Sequence, residues 1–253
     1  MKELQPVTDA SDLRIKIFAD GADRDSIARL YANPLIKGFT TNPTLMRKAG
    51  VEDYETFARE ILEIVSDRPI SFEVFSDVFG EMQEQAVQIS SWAENVYVKV
   101  PVTNTSGEPT ANVVERLADR GVKVNVTALT TPAQVKEVVQ WVAGGPPCYV
   151  SVFAGRIADS GRDPLPLMTE SLEHASAHPN VELIWASPRE LLNIVQADSI
   201  GCHIITVTDD LLQKIGTLGR DLEEFSLATV KMFYEDGHAA GYSLRTAAST
   251  ARR

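Results

Sequence analysis

The feature that most constrains this chain is a rhythm. Short runs of β-branched and apolar residues fall at 14–20, 38–42, 70–76, 95–102, 122–129, 148–155, 181–187 and 202–208. Each is followed by a stretch with helical spacing, such as YETFAREILEIVS, FGEMQEQAVQISSW or TPAQVKEVVQWVAG. Strands alternating with helices imply parallel strands joined by helical crossovers. Eight such units in 253 residues predict a closed (β/α)8 TIM barrel rather than an open sheet. No GxGxxG follows the first strand and no Walker motif occurs, so the nucleotide-binding alternatives lack their usual mark. The segment 221–241 predicts an extra helix beyond the eighth unit, placed to cover the barrel mouth or mediate assembly. A loose tail follows at 242–253. The expected organisation is a single domain over 1–253, its core at about 12–220.

Charge narrows the function. The formal net charge is −11 with 44% hydrophobic residues, an ordinary globular composition that disfavours a nucleic-acid binder. A small anion can still find a local pocket. Cys148 and Cys202 begin apolar runs with no CxxC, which predicts two buried reduced thiols. The opening MKELQPVTDASDLRIKIF has charges and a proline where a signal peptide needs an apolar stretch. No apolar run approaches the ~18 residues of a membrane helix. The expectation is a soluble cytoplasmic protein with no membrane or nucleic-acid partner.

Barrel enzymes place their chemistry at the carboxyl ends of the strands. Those ends are polar here. The first strand closes on Asp20 and the second on Thr40, Thr41 and Asn42; the third carries Glu73 and the fifth Asn125 and Thr127. The sixth carries Ser151 with Arg156 beyond it; the seventh ends in Ser187, before Arg189; the eighth carries Thr206 and Thr208.

The fourth strand, NVYVKVPV, holds a lysine among valines. Val96, Val98, Val100 and Val102 share one face; Tyr97, Lys99 and Pro101 share the other. Lys16 and Lys123 sit near strand starts, where they snorkel to water. Lys99 lies deeper, and desolvating an ammonium is costly without a partner or a change of protonation. With the valines turned toward the helices, Lys99 points inward, either as a structural ion pair or as a reactive amine.

Asp20, Glu73 and Lys99 then converge as a proton-transfer set. A neutral amine can attack a carbonyl and form a Schiff base. Asn42, Asn125 and Thr127 are suited to sugar hydroxyls or to orienting water. Arg156, Ser187 and Arg189 offer a clamp for phosphate. Ser187 before Pro188 also predicts a helix N-cap with proline in the first turn.

Six strings together resemble one family: GFTTNPTLMRKAG (38–50), ISFEVFSD (70–77), VYVKVPVT (96–103), NVTALTT (125–131), SVFAGRIADSG (151–161) and WASPREL (185–191) resemble the transaldolase family, which includes the fructose-6-phosphate aldolases. The resemblance implies a circularly permuted barrel with class I, Schiff-base aldol chemistry. Lys99 matches the Schiff-base lysine and Asp20 the carboxylate that exchanges protons with substrate hydroxyls. Glu73 matches the carboxylate that orients a catalytic water, and Thr127 that water's hydroxyl partner. Thr40, Asn42 and Asn125 match donor-sugar contacts. Ser151 and Arg156 match sugar and phosphate contacts, and Ser187 and Arg189 the rest of the phosphate site.

Phe153 matches the phenylalanine of true transaldolases, where the aldolase branch carries tyrosine. Glu73 stands where that branch tends to glutamine. Both favour transfer over release of free dihydroxyacetone. Gly21 and Pro188 depart from the family pattern and leave the natural sugar open, modified sugars included. The resemblance implies sugar phosphates as small-molecule partners and a homo-oligomer. The four histidines form no ligand-spaced cluster, and the chemistry implied needs no metal and no cofactor. A fructose-6-phosphate aldolase-like lyase and a non-catalytic sugar-phosphate-binding barrel are the competing readings.

Overall fold

The structure, a computed structural model, describes residues 7–244. Eight parallel strands pair in chain order and close on themselves: β1 (Lys16–Asp20), β2 (Ile36–Thr40), β3 (Ile70–Glu73), β4 (Val96–Pro101), β5 (Val124–Leu129), β6 (Cys148–Val152), β7 (Val181–Trp185) and β8 (Ile204–Thr208). The seam between β1 and β8 is complete over five paired residues, Lys16↔Ile204 through Asp20↔Thr208.

The connecting helices are α1 (Arg24–Tyr31), α2 (Pro43–Lys48), α3 (Tyr54–Ile64), α4 (Phe79–Ser90), α5 (Ala111–Asp119), α6 (Pro132–Trp141), α7 (Ala154–Asp159), α8 (Pro164–Ser176), α9 (Leu192–Ser199) and α10 (Asp209–Leu212). The helix expected after β8 is four residues long and is followed, after Gln213 and Lys214, by a separate 3₁₀ turn at Ile215–Thr217. The short helices α2 and α7 were not in the alternation. Each starts directly after a strand and so stands on the carboxyl rim of the barrel.

Two apolar clusters divide the core. The larger lies between strands and helices and contains the outward valines Val96, Val98, Val100, Val124, Val126, Val150 and Val152. The smaller fills the bore with Phe18, Tyr97, Tyr149, Ile184, Ala186 and Ile204. Tyr97 stacks on Tyr149 at 4.0 Å between ring centroids, and Phe18 meets Tyr149 edge-on at 5.6 Å. Gly38 makes room for this plug: a Cβ there would lie 2.5 Å from the Phe18 ring.

Cys148 and Cys202 are free and buried, and burial pushes both thiols up to about 12. Lys16 reaches Glu182 at 2.6 Å and Lys123 the Glu94 carbonyl at 2.7 Å, at the amino rim as expected. Helix α11 (Leu222–Ala239) follows the barrel and buries none of its residues. Most of the tail expected at 242–253, and the first six residues, lie outside the described residues. Among the described residues no helix is long and apolar enough to cross a membrane.

Candidate active site

Above the aromatic plug the bore opens into a cavity of about 350 Å³ at the carboxyl end of the strands. Ten of the twelve residues singled out from the sequence line it: Asp20, Thr40, Asn42, Glu73, Lys99, Thr127, Ser151, Phe153, Arg156 and Ser187. Asn125 and Arg189 do not.

Lys99 is 6% exposed, on the inner face of β4 and in register with Glu73 on one side and Asn125 on the other. Its Nζ donates to the Thr41 carbonyl at 2.9 Å and lies 3.2 Å from Glu73 Oε2. A buried pair of this kind owes its place to geometry, since desolvation offsets much of the Coulomb gain. One bond runs to the adjacent β3 and the other across to the end of β2, which leaves one tetrahedral position of Nζ for the cavity that Lys99 lines.

The strand end that carries Glu73 is held by a residue the sequence reading passed over. Tyr54 Oη accepts from the Glu73 amide at 2.7 Å and donates to the Glu73 carbonyl at 2.9 Å. The only signal was an aromatic residue directly behind the capping Asp53 of α3.

Asp20 accepts from Thr40 Oγ1 at 2.7 Å, with Asn42 Nδ2 at 3.4 Å from its other oxygen. Burial raises its carboxyl above the usual carboxylate range; Lys99 and these two hydrogen bonds pull the other way. Asn42 is also the N-cap of α2, where its Oδ1 accepts from the Leu45 amide at 2.9 Å. The cap spends the oxygen and thereby turns the NH₂ group toward Asp20 and the cavity.

β5 bulges where it meets the site. Val126 pairs with Val150 and Leu129 with Val152, so two intervening residues oppose one, and Ala128 takes φ 67°. Bulges re-aim side chains beside active sites. Next to it, Thr127 lines the cavity with a buried hydroxyl that has no hydrogen-bond partner among the described residues. Asn125 lies one step deeper and is fully buried. Its Nδ2 donates to Ser71 Oγ at 3.0 Å and its Oδ1 accepts from Ser151 Oγ at 2.7 Å. It orients Ser151 from below instead of facing the cavity.

The seventh-strand loop departs from expectation. Ser187 is not an N-cap: α9 starts at Leu192, and Asn193 Oδ1 collects the Arg189 and Glu190 amides at 2.7 and 3.2 Å. Ser187 instead adopts φ 58° and packs its carbonyl on Gly155 of α7, where any Cβ would collide with it. This close approach brings Ser187 to the cavity beside Arg156. The Arg189 guanidinium grips Asp159 of α7 side-on, with Nε donating to Oδ1 at 3.0 Å and Nη2 donating to Oδ2. That contact holds the Asp159 carboxyl below its ordinary range. Thr206 of β8, noted in the sequence only as a polar strand end, also lines the cavity.

A family model described as Transaldolase/Fructose-6-phosphate aldolase matches residues 17–250. The chain belongs to this family. It is 35% identical over 225 residues to a "Probable transaldolase" of Streptococcus equi subsp. zooepidemicus (strain MGCS10565), covering 88% of this chain and 97% of that protein. A second "Probable transaldolase", from Streptococcus pyogenes serotype M5 (strain Manfredo), is 35% identical over 202 residues, covering 79% of this chain and 90% of the relative. Membership makes this chain an enzyme of the class that transfers aldehyde or ketone groups.

Among solved structures, a 3-hexulose-6-phosphate synthase from Salmonella typhimurium superposes with TM-score 0.55 at 14% identity, covering 81% of this chain and 98% of the other. A putative lyase/mutase from Burkholderia cenocepacia J2315 gives 0.56 at 13% identity, covering 88% and 84%. These two likenesses speak to the barrel fold alone.

Proposed function

We propose that this family member is a transaldolase. It moves a dihydroxyacetone unit from a ketose phosphate, sedoheptulose 7-phosphate or fructose 6-phosphate, to an aldose phosphate, in the manner of the cytoplasmic pentose phosphate pathway. The chain acts as one barrel domain with an appended helix. The observation that carries the reading is the setting of Lys99. A neutral amine has two N–H groups and one lone pair. In the neutral form that attacks, the Thr41 carbonyl and Glu73 take the two hydrogens, and the lone pair is left for substrate in the cavity that Lys99 lines.

Attack on the ketose C2 forms a carbinolamine, which loses water to give the iminium. Asp20 takes the proton of the C4 hydroxyl, the C3–C4 bond breaks, and its electron pair moves into the iminium to leave an enamine on Lys99. The released aldehyde departs and an acceptor aldehyde enters. The enamine carbon attacks it, Asp20 returns the proton, and water hydrolyses the new iminium. Glu73 and the unpartnered Thr127 hydroxyl are the groups that hold this water. Thr40, Asn42 and Ser151 meet the sugar hydroxyls. Arg156 and Ser187 meet the phosphate, and Asp159 positions Arg189 beside them.

Borohydride reduction in the presence of fructose 6-phosphate is expected to leave a three-carbon mass on Lys99. Equal labelling of Lys99→Met would sink the assignment. Phe153 decides between transfer and the aldolase-like alternative. It offers no hydroxyl to protonate the enamine, so the intermediate waits for an acceptor. Rapid dihydroxyacetone release from fructose 6-phosphate without an acceptor would favour the lyase.

A homo-oligomer is part of the proposal. Helix α11 leaves Phe225, Leu227, Val230, Met232 and Phe233 exposed, a run of apolar groups that suits burial against another copy. Sedimentation of the chain truncated before Leu222 should give a smaller species than the full chain.

A further inference from the structure

Two threonine hydroxyls from different strands meet beside Asp20. Thr40 Oγ1 of β2 and Thr206 Oγ1 of β8 lie 2.5 Å apart, and both residues are buried. A hydroxyl has one hydrogen, and an ionised carboxylate can only accept. Thr40 therefore spends its hydrogen on Asp20 Oδ1 at 2.7 Å. The hydrogen between the two threonines then belongs to Thr206. The chain Thr206→Thr40→Asp20 has a fixed sense, and each bond polarises the next.

We propose that Thr206 is a positioning residue for the proton transfer at Asp20. By donating to Thr40 it commits Oδ1 as a hydrogen-bonded anchor and leaves Oδ2, held only by the long Asn42 contact of 3.4 Å, as the oxygen that takes the substrate proton. The inference rests on the Schiff-base reading only for what Asp20 does, not for how Thr206 acts on it. The charged groups facing Asp20 are Lys99 from β4 and Glu73 from β3. From β2 and the turn after it come Thr40 and Asn42, and from β8 Thr206. Arg156 lines the same cavity. Neither charge near Asp20 changes when Thr206 is replaced, so a shift in its titration reports the hydroxyl chain.

The test compares Thr206→Val, nearly isosteric but unable to donate, with Thr206→Ser, which keeps the hydroxyl. Thr206→Ala serves as a second hydroxyl-free variant should the valine not fold. The ¹³C carboxyl resonance of Asp20 is titrated in the substrate-free enzyme, and the pH profile of kcat/KM is recorded with fructose 6-phosphate and an aldose phosphate. Without the Thr206 donor the carboxylate is less stabilised. The Asp20 midpoint and the acid limb should both move to higher pH in the valine and alanine variants. At a pH on that limb, kcat/KM should fall about fivefold to tenfold, the scale of one net hydrogen bond. The serine variant should track the parent. An unchanged Asp20 midpoint in the hydroxyl-free variants, or a serine variant that behaves like valine, overturns the proposal. If borohydride trapping fails on the parent enzyme, the Schiff-base reading falls, while the carboxyl titration still decides the role of Thr206.

Discussion

The lower and upper halves of the bore are built from the same strands and share almost no chemistry. Two residues along β1 separate Phe18 from Asp20. The same step separates Tyr97 from Lys99, Tyr149 from Ser151, and Ile204 from Thr206. With a side-chain period of two, each pair lies on one face, about 7 Å apart along the strand. Below, aromatic rings stack on one another, with the Phe18 ring in the space that the missing Gly38 side chain leaves. Above, nearly every inward group is polar. The contrast shows how a barrel carries a polar site on an apolar floor: the plug closes the bore from one side, and burial lets the charged groups above it act more strongly on one another than they would in water.

The two halves of the bore differ most at Lys99. Lys99→Met should abolish turnover and adduct formation while the plug stays intact, checked by near-ultraviolet circular dichroism and intact mass. If turnover survives, the upper half is not the seat of covalent chemistry. Next in size is Asp20→Asn, expected to lower kcat by about 10²–10⁴-fold as a proton-transfer group is removed.

The same variant tests stability with a definite sign. Burial raises the Asp20 pKa in the folded state, so the folded chain binds this proton more tightly than the unfolded chain does. Stability due to Asp20 is therefore present below the unfolded value of about 3.9 and is lost as pH rises through the folded value. Asp20→Asn should raise Tm at neutral pH, and that gain should vanish near pH 4 in calorimetric scans. A gain of equal size at both pH values would contradict the burial argument.

The floor should respond in the opposite way. Phe18→Ala is expected to cost about 3–5 kcal/mol in urea unfolding while Lys99 in the folded fraction remains trappable. Smaller still, Gly38→Ala forces a methyl against the Phe18 ring and should cost about 1–3 kcal/mol. A loss of trapping equal to that of the site variants would show that the two halves are not separable.

Much of this division was legible beforehand. The eightfold alternation carried the barrel, and the valines of β4 against Tyr97, Lys99 and Pro101 assigned the inner face. What stayed hidden has a common cause. Ser187 before Pro188 has the local chemistry of an N-cap, but the fit of its carbonyl onto Gly155 overrides it. Asn125 and Thr127 share a face in sequence, yet a bulge at Ala128 and the chain through Ser71 and Ser151 put one beneath the cavity and the other in its wall. Nothing near Arg189 in the sequence marks the carboxylate thirty positions away on α7 that holds its guanidinium.

The sequence by itself determined which residues face the axis, because side-chain direction along a strand is a local property repeating every two residues. It also marked the family, through six short strings in order. Only the tertiary structure decided who meets whom across the bore. The height of each inward group depends on strand stagger, and the contact of Thr40 with Thr206 depends on closure of the sheet, which joins β1 to a strand nearly two hundred residues later. No local pattern encodes that closure, since it is a balance struck by all eight strands at once.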